Sequence, residues 1–121
     1  MSLIAKIIGV FTVKSGKMGA VHIMLMENAL RFRNANKIKY IFDLKGSKVD
    51  RKVKGITKNT TTLKDINFLM AAEANNGLTL VKSSAKRDLL SALKRDVMFL
   101  KDQGLMDYSL LLGIEKIQKN T

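Results

Sequence analysis

The sequence predicts an α+β fold in which helices pack against an antiparallel sheet. Two alternating apolar segments joined by a glycine-containing loop come first, two helical segments follow, and a continuous apolar strand comes last. Strands and helices that occur in separate blocks are typical of the α+β class. The chain has 121 residues, the size of one domain, so we treat residues 1–121 as a single unit.

Three strands are predicted in the first half of the chain. Ile7–Val13 and Ala20–Asn28 form a hairpin, because the loop Lys14–Gly19 between them contains glycine, and Ile38–Leu44 is the third strand. No proline occurs, so glycine and asparagine mark the turns. A brief fourth strand is predicted at Leu78–Val81.

Two helices are predicted in the second half. Thr62 followed by Asp65 resembles a capping box, which places a helix at Leu63–Ala74. The second helix, Ser84–Gln103, has the clearer pattern, since apolar residues recur at helical spacing and Gly104 suits the left-handed position after a helix. The apolar stripe of this second helix consists of Leu89, Leu93, Val97 and Leu100.

The charge of the chain predicts an anionic partner. The net charge is +12, with 22 Lys and Arg against 10 Asp and Glu, which is typical of proteins that bind nucleic acid, anionic membranes or phosphorylated substrates. There is no Trp and no basic segment rich in aromatic residues, so nucleic acid is not among the expected partners. Cysteine is absent and His22 is the single histidine, so neither a thiolate metal site nor a histidine triad is expected.

The segment Asp43–Ser47, DLKGS, ends the third strand and admits two interpretations. In the structural one, Gly46 permits a tight turn while Asp43 and Ser47 bond loose backbone groups. In the functional one, glycine and lysine after a strand bring backbone amides and the Lys45 ammonium to a phosphate. The segment alone does not decide between them.

Asp107 is the second position with two interpretations. It precedes the last predicted strand, Leu110–Ile114, whose apolar run is too continuous for a strand with one solvated face. An acid before a buried strand is either a turn or cap residue or a functional group at the edge of the sheet.

Two motifs taken together resemble the phosphatidylinositol phosphate kinases, which phosphorylate the inositol ring of phosphoinositides that already bear a phosphate. The motifs are Asp43–Ser47 and Met106–Ile114, MDYSLLLGI. Leu63–Leu69 looks like the family's KDxDF segment, and His22–Leu30 looks like the strand and hinge between the two kinase lobes. The resemblance covers residues 7–117. It implies a partial protein-kinase-like lipid kinase domain, from the end of the amino-terminal lobe into the carboxy-terminal lobe.

The resemblance implies ATP with Mg²⁺ as the cofactors. Met26, Glu27 and Asn28 would lie at the hinge, where backbone groups bond adenine, and Leu30 would stand against the base. No metal ligand is assigned within the chain. Glu115-Lys116 stands where the family usually has His-Asp, so no role is inherited at that pair.

The resemblance also implies a catalytic acid and phosphate-binding residues. Asp107 looks like the catalytic aspartate, which accepts a hydrogen bond from the attacking inositol hydroxyl and aligns it with the γ-phosphate. Lys45 and Arg51 would bind phosphate, and Asp43 would orient the turn. A cationic face toward anionic lipid is expected to include Lys45, Lys48, Arg51, Lys52 and Lys54.

The implied function is ATP-dependent phosphorylation of phosphatidylinositol phosphates, as a phosphatidylinositol 4-phosphate 5-kinase. The alternatives are the phosphatidylinositol 3-phosphate 5-kinase branch and a catalytically empty, basic phosphoinositide-binding module. The expected partners are phosphoinositide headgroups on anionic membranes, with a homodimer left open, and the expected location is cytoplasmic, peripheral on the cytosolic face of membranes. The family's glycine-rich loop and metal-binding acid lie outside the matched region, so we expect the 121-residue chain alone to be inactive.

Overall fold

The computed structural model describes residues 1–32, 35–55, 58, 60–77 and 83–116. The predicted strand Leu78–Val81 lies outside the described residues. Five strands, two α-helices and one short 3₁₀ turn are found in the described part of the chain. In chain order they are β1 (Ile7–Ser15), β2 (Gly19–Met26), the 3₁₀ turn (Ala35–Lys37), β3 (Ile38–Leu44), β4 (Thr62–Leu63), α1 (Asp65–Ala74), α2 (Ser83–Asp102) and β5 (Leu110–Glu115).

Strands β1 and β2 form the predicted antiparallel hairpin. Their register pairs Ile7 with Met26 at the open end and Ser15 with Gly19 at the loop. Gly19 has a φ of 61°, a conformation that glycine adopts without steric cost. None of the residues of either strand is buried. The hairpin is therefore held by its own backbone pairing and is not covered by the described elements.

Strands β4, β3 and β5 form a separate sheet with β3 at its centre. β3 pairs antiparallel with β5, from Leu44 opposite Leu110 to Ile38 opposite Glu115. The two-residue strand β4 runs parallel to β3, with Thr62 opposite Ile41. The prediction of an antiparallel sheet is correct for β3 and β5 and wrong for β4, so this sheet is mixed.

The start of α1 also differs from the prediction. Thr62 pairs in β4 and does not cap the helix, so α1 begins at Asp65 instead of Leu63. At this start Asn67 Oδ1 accepts the backbone N–H of Lys64 at 3.3 Å, the reciprocal half of a capping box. The Thr62 and Asp65 pattern therefore indicated a helix correctly but placed its first turn too early.

The core lies where α1 covers β3. Phe42 is fully buried, and Leu63 and Ala71 are buried around it. Phe68 of α1 meets the Phe42 ring edge to face, with 5.2 Å between the centroids. Burying a side chain of this size stabilises the fold by about 1.5–3 kcal/mol. This contact is what fixes α1, and the polar residues at its start, against the end of β3.

Helix α2 has the predicted length, but it begins at Ser83 and ends at Asp102, one residue earlier than predicted at each end. Gly104 has a φ of 65°, and the Leu105 N–H closes the helix on the Leu100 carbonyl at 3.0 Å. Ala92 is the only residue of α2 that is buried in the described structure. Three residues of the apolar stripe of α2, Leu93, Val97 and Leu100, line a cleft instead of a packed core. No helix in the described ranges is both long and apolar enough to cross a membrane.

Candidate functional site

A cleft of about 830 Å³ opens between the segment after β2, the end of β3, helix α2 and the start of β5. The predicted hinge residues Met26–Asn28 line one side, and Lys45 and Tyr108 line another. The apolar wall is formed by three residues of the α2 stripe, Leu93, Val97 and Leu100. Apolar walls with a few convergent polar groups are typical of small-molecule sites. The cleft is therefore the candidate functional site.

Hydrogen bonds fix the predicted hinge segment in place. The Glu27 N–H donates to the Lys6 carbonyl at 2.9 Å, and the Glu27 carboxylate pairs with Arg31. Asn28 Oδ1 accepts the Leu30 N–H at 3.0 Å. The backbone N–H of Glu27 thus already has a partner, so a base bound at this edge would have to use other backbone groups.

Leu30 does not line the main cleft. Its side chain lies against Gly113 of β5 beside Phe32, around a second cavity of about 280 Å³. A Cβ atom built on Gly113 would come within 2.4 Å of the Phe32 ring and 3.1 Å of Leu30. Glycine is therefore what lets these two side chains approach the strand.

Asp107 and Lys45 form an ion pair at the edge of the cleft. The Asp107 side chain is 83% exposed, and its backbone has a φ of 61°, which is uncommon for a residue with a side chain. Backbone conformations of this kind persist only where the surrounding structure holds them in place, and they are found often at functional sites. The structure thus brings together the predicted catalytic acid and the predicted phosphate-binding lysine.

Arg51 lies inward, at the centre of a carboxylate clamp that consists of Arg51, Asp43 and Asp65. Its Nε donates to Asp65 Oδ2 at 2.7 Å, and its Nη2 donates to Asp43 Oδ2 at 3.1 Å and also to the Asp43 carbonyl. Its side chain is 11% exposed. This position argues against direct contact between Arg51 and a lipid phosphate and favours a role in holding the turn.

Asp65 also takes up the backbone amides of the DLKGS turn. Its Oδ1 accepts the N–H of Gly46 at 2.8 Å and the N–H of Lys45 at 3.1 Å. An internal carboxylate therefore occupies the place that the functional interpretation gave to a phosphate. The structural interpretation is right for Gly46, whose φ is 73°, and for Ser47, whose Oγ accepts the Val49 N–H at 3.2 Å, but Asp65 accepts the turn amides in place of Asp43. The Lys45 ammonium is the part of the turn that remains directed at the cleft.

Hydrogen bonds hold the pKa values of both clamp carboxylates below the ordinary 3.8. For Asp43 the largest cause is the hydrogen bond from the Ser109 hydroxyl, with Arg51 adding to it. For Asp65 burial alone would raise the pKa, but the bonds from Arg51 and from the two turn amides outweigh it. Both groups are therefore charged at neutral pH. Ser109, two residues after Asp107, is therefore close to the Asp43 carboxylate.

A second residue of α1 holds the far end of the same turn. Asn67, which is buried, accepts the Val53 N–H at 2.9 Å and donates to the Val53 carbonyl at 3.0 Å. Sequence reasoning gave Asp65 only a capping role and gave Asn67 none. The available signal was two polar residues, two apart, at the start of a helix whose next five residues are apolar.

The rest of the basic turn faces solvent. Lys48, Lys52 and Lys54 are exposed, in contrast to Arg51. No three His, Cys, Asp or Glu side chains gather into a metal-binding group within the described residues. The carboxylates of the site are engaged with Arg51 and Lys45, so by themselves they do not fit a magnesium ion.

Known proteins resemble this chain along its whole length. The family model described as phosphatidylinositol-4-phosphate 5-kinase matches residues 1–121. Phosphatidylinositol 4-phosphate 5-kinase type-1 beta of Gallus gallus is 36% identical over 121 residues, covering 98% of this chain and 21% of the relative. Phosphatidylinositol 5-phosphate 4-kinase type-2 gamma of Xenopus tropicalis is 42% identical over 98 residues, covering 79% and 22%. No solved structure matches the chain significantly.

A third relative is named for a third phosphoinositide. The 1-phosphatidylinositol-3-phosphate 5-kinase FAB1A of Arabidopsis thaliana is 36% identical over 118 residues, covering 93% of this chain and 6% of the relative. The chain therefore spans less than a quarter of each of these relatives, whose names give three different phosphoinositides. The match of the family model over residues 1–121 shows that the chain belongs to the phosphatidylinositol-4-phosphate 5-kinase family.

Proposed function

We propose that the protein containing this chain transfers a phosphoryl group from ATP to the inositol ring of a phosphatidylinositol phosphate, namely phosphatidylinositol 4-phosphate at its 5-position. One observation carries the proposal. The hinge residues Met26–Asn28, the Lys45 ammonium and the turn of Asp107 meet at one cleft, and Lys45 lies beside the Asp107 carboxylate. In this proposal the chain supplies part of the nucleotide site and the acid that positions the acceptor.

The cleft fits a nucleotide in size and in lining. Its volume of about 830 Å³ lies within the range of small-molecule sites. Met26 and Asn28 would hold the base at the hinge edge, against the apolar wall from α2. ATP, when bound, supplies the phosphoryl group. The described carboxylates do not fit Mg²⁺ unaided, so the roles given to these residues involve no metal.

Asp107 would act by positioning. Its exposed carboxylate can accept a hydrogen bond from an inositol hydroxyl, and alignment of the acceptor accounts for most of phosphoryl-transfer catalysis. Lys45 would place a positive charge where the negative charge of the transferring phosphate gathers. The ion pair holds the two side chains together at the edge of the cleft.

The exposed lysines support peripheral binding to an anionic membrane on its cytosolic face. Lys48, Lys52 and Lys54 lie on one turn next to the site. Each basic residue near such a surface contributes about 1 kcal/mol, and the attraction is screened beyond about 10 Å at 0.1 M salt. Vesicles with anionic lipid should thus bind the protein at low salt and release it at high salt.

The test supplies the intact protein with ATP, Mg²⁺ and vesicles that contain one phosphatidylinositol monophosphate, with the phosphate at position 3, 4 or 5. We expect the 4-phosphate vesicles to yield the 4,5-bisphosphate fastest. Lys45→Met should lower kcat at least about tenfold, whereas Lys86→Met, which removes the same charge from the exposed start of α2, should not. If only the vesicles with the 3-phosphate gave a product, the substrate would be phosphatidylinositol 3-phosphate instead. Absence of any lipid product would refute the kinase proposal.

A further inference from the structure

The backbone that carries Lys45 is held by one carboxylate. Asp65 Oδ1 accepts the amides of both Lys45 and Gly46, at 3.1 and 2.8 Å. Asp65 is itself buried, and it stands at the first residue of α1, which packs on the core through Phe68 and Phe42. The backbone of Lys45 is thus bonded to a residue of the helix that covers the buried cluster around Phe42.

The other oxygen of Asp65 extends the network toward Asp107. Asp65 Oδ2 accepts from Arg51 Nε at 2.7 Å, and Arg51 Nη2 donates to Asp43 Oδ2 at 3.1 Å. Asp43 lies at the end of β3, where Leu44 pairs with Leu110 of β5, and the Ser109 side chain is close enough to lower the pKa of Asp43. Ser109 lies two residues after Asp107. The Lys45 turn is therefore bonded to the clamp, and the β3–β5 pairing holds the turn of Asp107 beside it.

We propose that Asp65 is a positioning residue for phosphoryl transfer, which acts through Lys45 by fixing the turn that directs the Lys45 ammonium to the Asp107 carboxylate. This inference rests on the proposed function. A lysine side chain is long and flexible, so its ammonium is aligned only if its backbone is fixed. Because Arg51 lies between Asp65 and Asp43, the negative charge of the clamp is also partly neutralised and repels an incoming phosphate less.

Asn67 provides a matched control. It lies on the same helix, is also buried, and makes two hydrogen bonds to the backbone of the same turn, but at Val53 instead of Lys45. Loss of either Asp65 or Asn67 removes hydrogen bonds between α1 and the turn, so both variants are expected to be less stable. A purely structural role would make the two variants equivalent in their effect on turnover.

The experiment compares kcat, KM for ATP and melting temperature for four variants of the intact protein. They are Asp65→Ala, Asn67→Ala, Lys45→Ala and the double variant Asp65→Ala with Lys45→Ala. We expect Asp65→Ala to lower kcat about ten- to a hundredfold with little change in KM for ATP, as small misplacements at a reacting centre do. Asn67→Ala should stay within about threefold of wild type. The double variant should match Lys45→Ala, because Asp65 acts through that lysine.

Two kinetic outcomes would overturn the inference. Equal losses of kcat in Asp65→Ala and Asn67→Ala would show a structural role, and losses that multiply in the double variant would show that Asp65 does not act through Lys45. If Asp65→Ala does not fold, Asp65→Asn takes its place in the kinetic comparisons only, since its remaining oxygen can still accept the turn amides while the charge toward Arg51 is lost. Its kcat should then lie between those of wild type and Lys45→Ala.

Hydrogen exchange separates this inference from the proposed function. The amides of Lys45 and Gly46 should exchange faster in Asp65→Ala and at the wild-type rate in Asn67→Ala, whether or not any lipid is phosphorylated. Unchanged exchange in Asp65→Ala would contradict the inference even in an active enzyme. A wild-type protein without lipid product would instead refute the proposed function, and a fully active Lys45→Ala would refute the role of Lys45 within it. In either case the catalytic role of Asp65 would fall as well.

Discussion

Two regions of the chain are built from similar apolar strands but differ in what covers them. In the β1–β2 hairpin Phe11 is 54% exposed and none of the strand residues is buried, whereas in the β4–β3–β5 sheet Phe42 is 0% exposed. The difference is a covering layer: α1 lies on β3, and no described element lies on the hairpin in the same way. Alternating apolar residues are enough to form a strand, but burial requires a partner surface.

The site draws on both regions. Lys45, Asp43 and Asp65 stand on the covered sheet and its helix, where each has an ionic or hydrogen-bonded partner. Met26–Asn28 follow directly from the uncovered hairpin. The Lys45 side of the cleft is therefore anchored by a core within the chain, while the Met26–Asn28 side continues from a strand pair without one.

The largest difference in stability is expected between two phenylalanine-to-alanine variants, one in each region. Phe42→Ala should lower the free energy of unfolding by about 3–5 kcal/mol, because it leaves a cavity beneath α1. Phe11→Ala, on the exposed hairpin, should change the same quantity by about 0.5 kcal/mol or less. Urea unfolding of the two variants measures the difference. Equal losses would mean that the hairpin is as well packed as the sheet.

A smaller effect is expected from adding one methyl group in each region. In Gly113→Ala the new Cβ would lie 2.4 Å from the Phe32 ring, so that ring has to move, at a cost of about 1–3 kcal/mol. In Gly16→Ala, in the hairpin loop, no heavy atom lies within 4 Å of the new Cβ. That variant should be neutral or slightly stabilising, by about 0.4–1 kcal/mol. Thermal unfolding of both variants tests the contrast, and a neutral Gly113→Ala would contradict the packing of Phe32 on β5.

The smallest effect is the dependence of stability on pH that the charges of Asp43 and Asp65 produce. The folded-state pKa values of Asp43 and Asp65 are lowered from 3.8, so their contribution to stability is present above pH 3.8 and is lost as the pH falls through the lowered values. The melting temperature of wild type should therefore exceed that of Asp43→Asn at neutral pH, and the difference should shrink below pH 3.8. A difference that is independent of pH would show that the Asp43 charge does not contribute.

Much of this fold could be predicted from short-range patterns. The hairpin and α2 with its glycine stop follow from periods of two and 3.6 residues and from local turn chemistry, and β3 and β5 follow from short apolar runs. The parallel pairing of β4 could not be predicted in the same way, because two residues are too few to show a period. That pairing also explains why α1 begins at Asp65 and not at Leu63.

The site was predicted less completely than the fold, for a physical reason. The two motifs identified Lys45 and Asp107, which the structure brings together. The partners that hold them are set by contacts between distant parts of the chain: Asp65 bonds amides 19 and 20 residues away, and no local pattern contains that information. Arg51 was predicted to bind phosphate because it is basic, but the same charge also suits the internal clamp in which it lies.

The most direct test of the central claim is the turnover of Asp107→Asn in the intact protein. Asn has nearly the same shape and, like Asp, tolerates the left-handed φ of 61°, so the fold and the nucleotide affinity should be retained. Loss of the anionic acceptor should lower kcat by about 10²–10⁴-fold, with a melting temperature close to that of wild type. Near-normal turnover in a well-folded Asp107→Asn protein would contradict the assignment of Asp107 as the residue that positions the attacking hydroxyl.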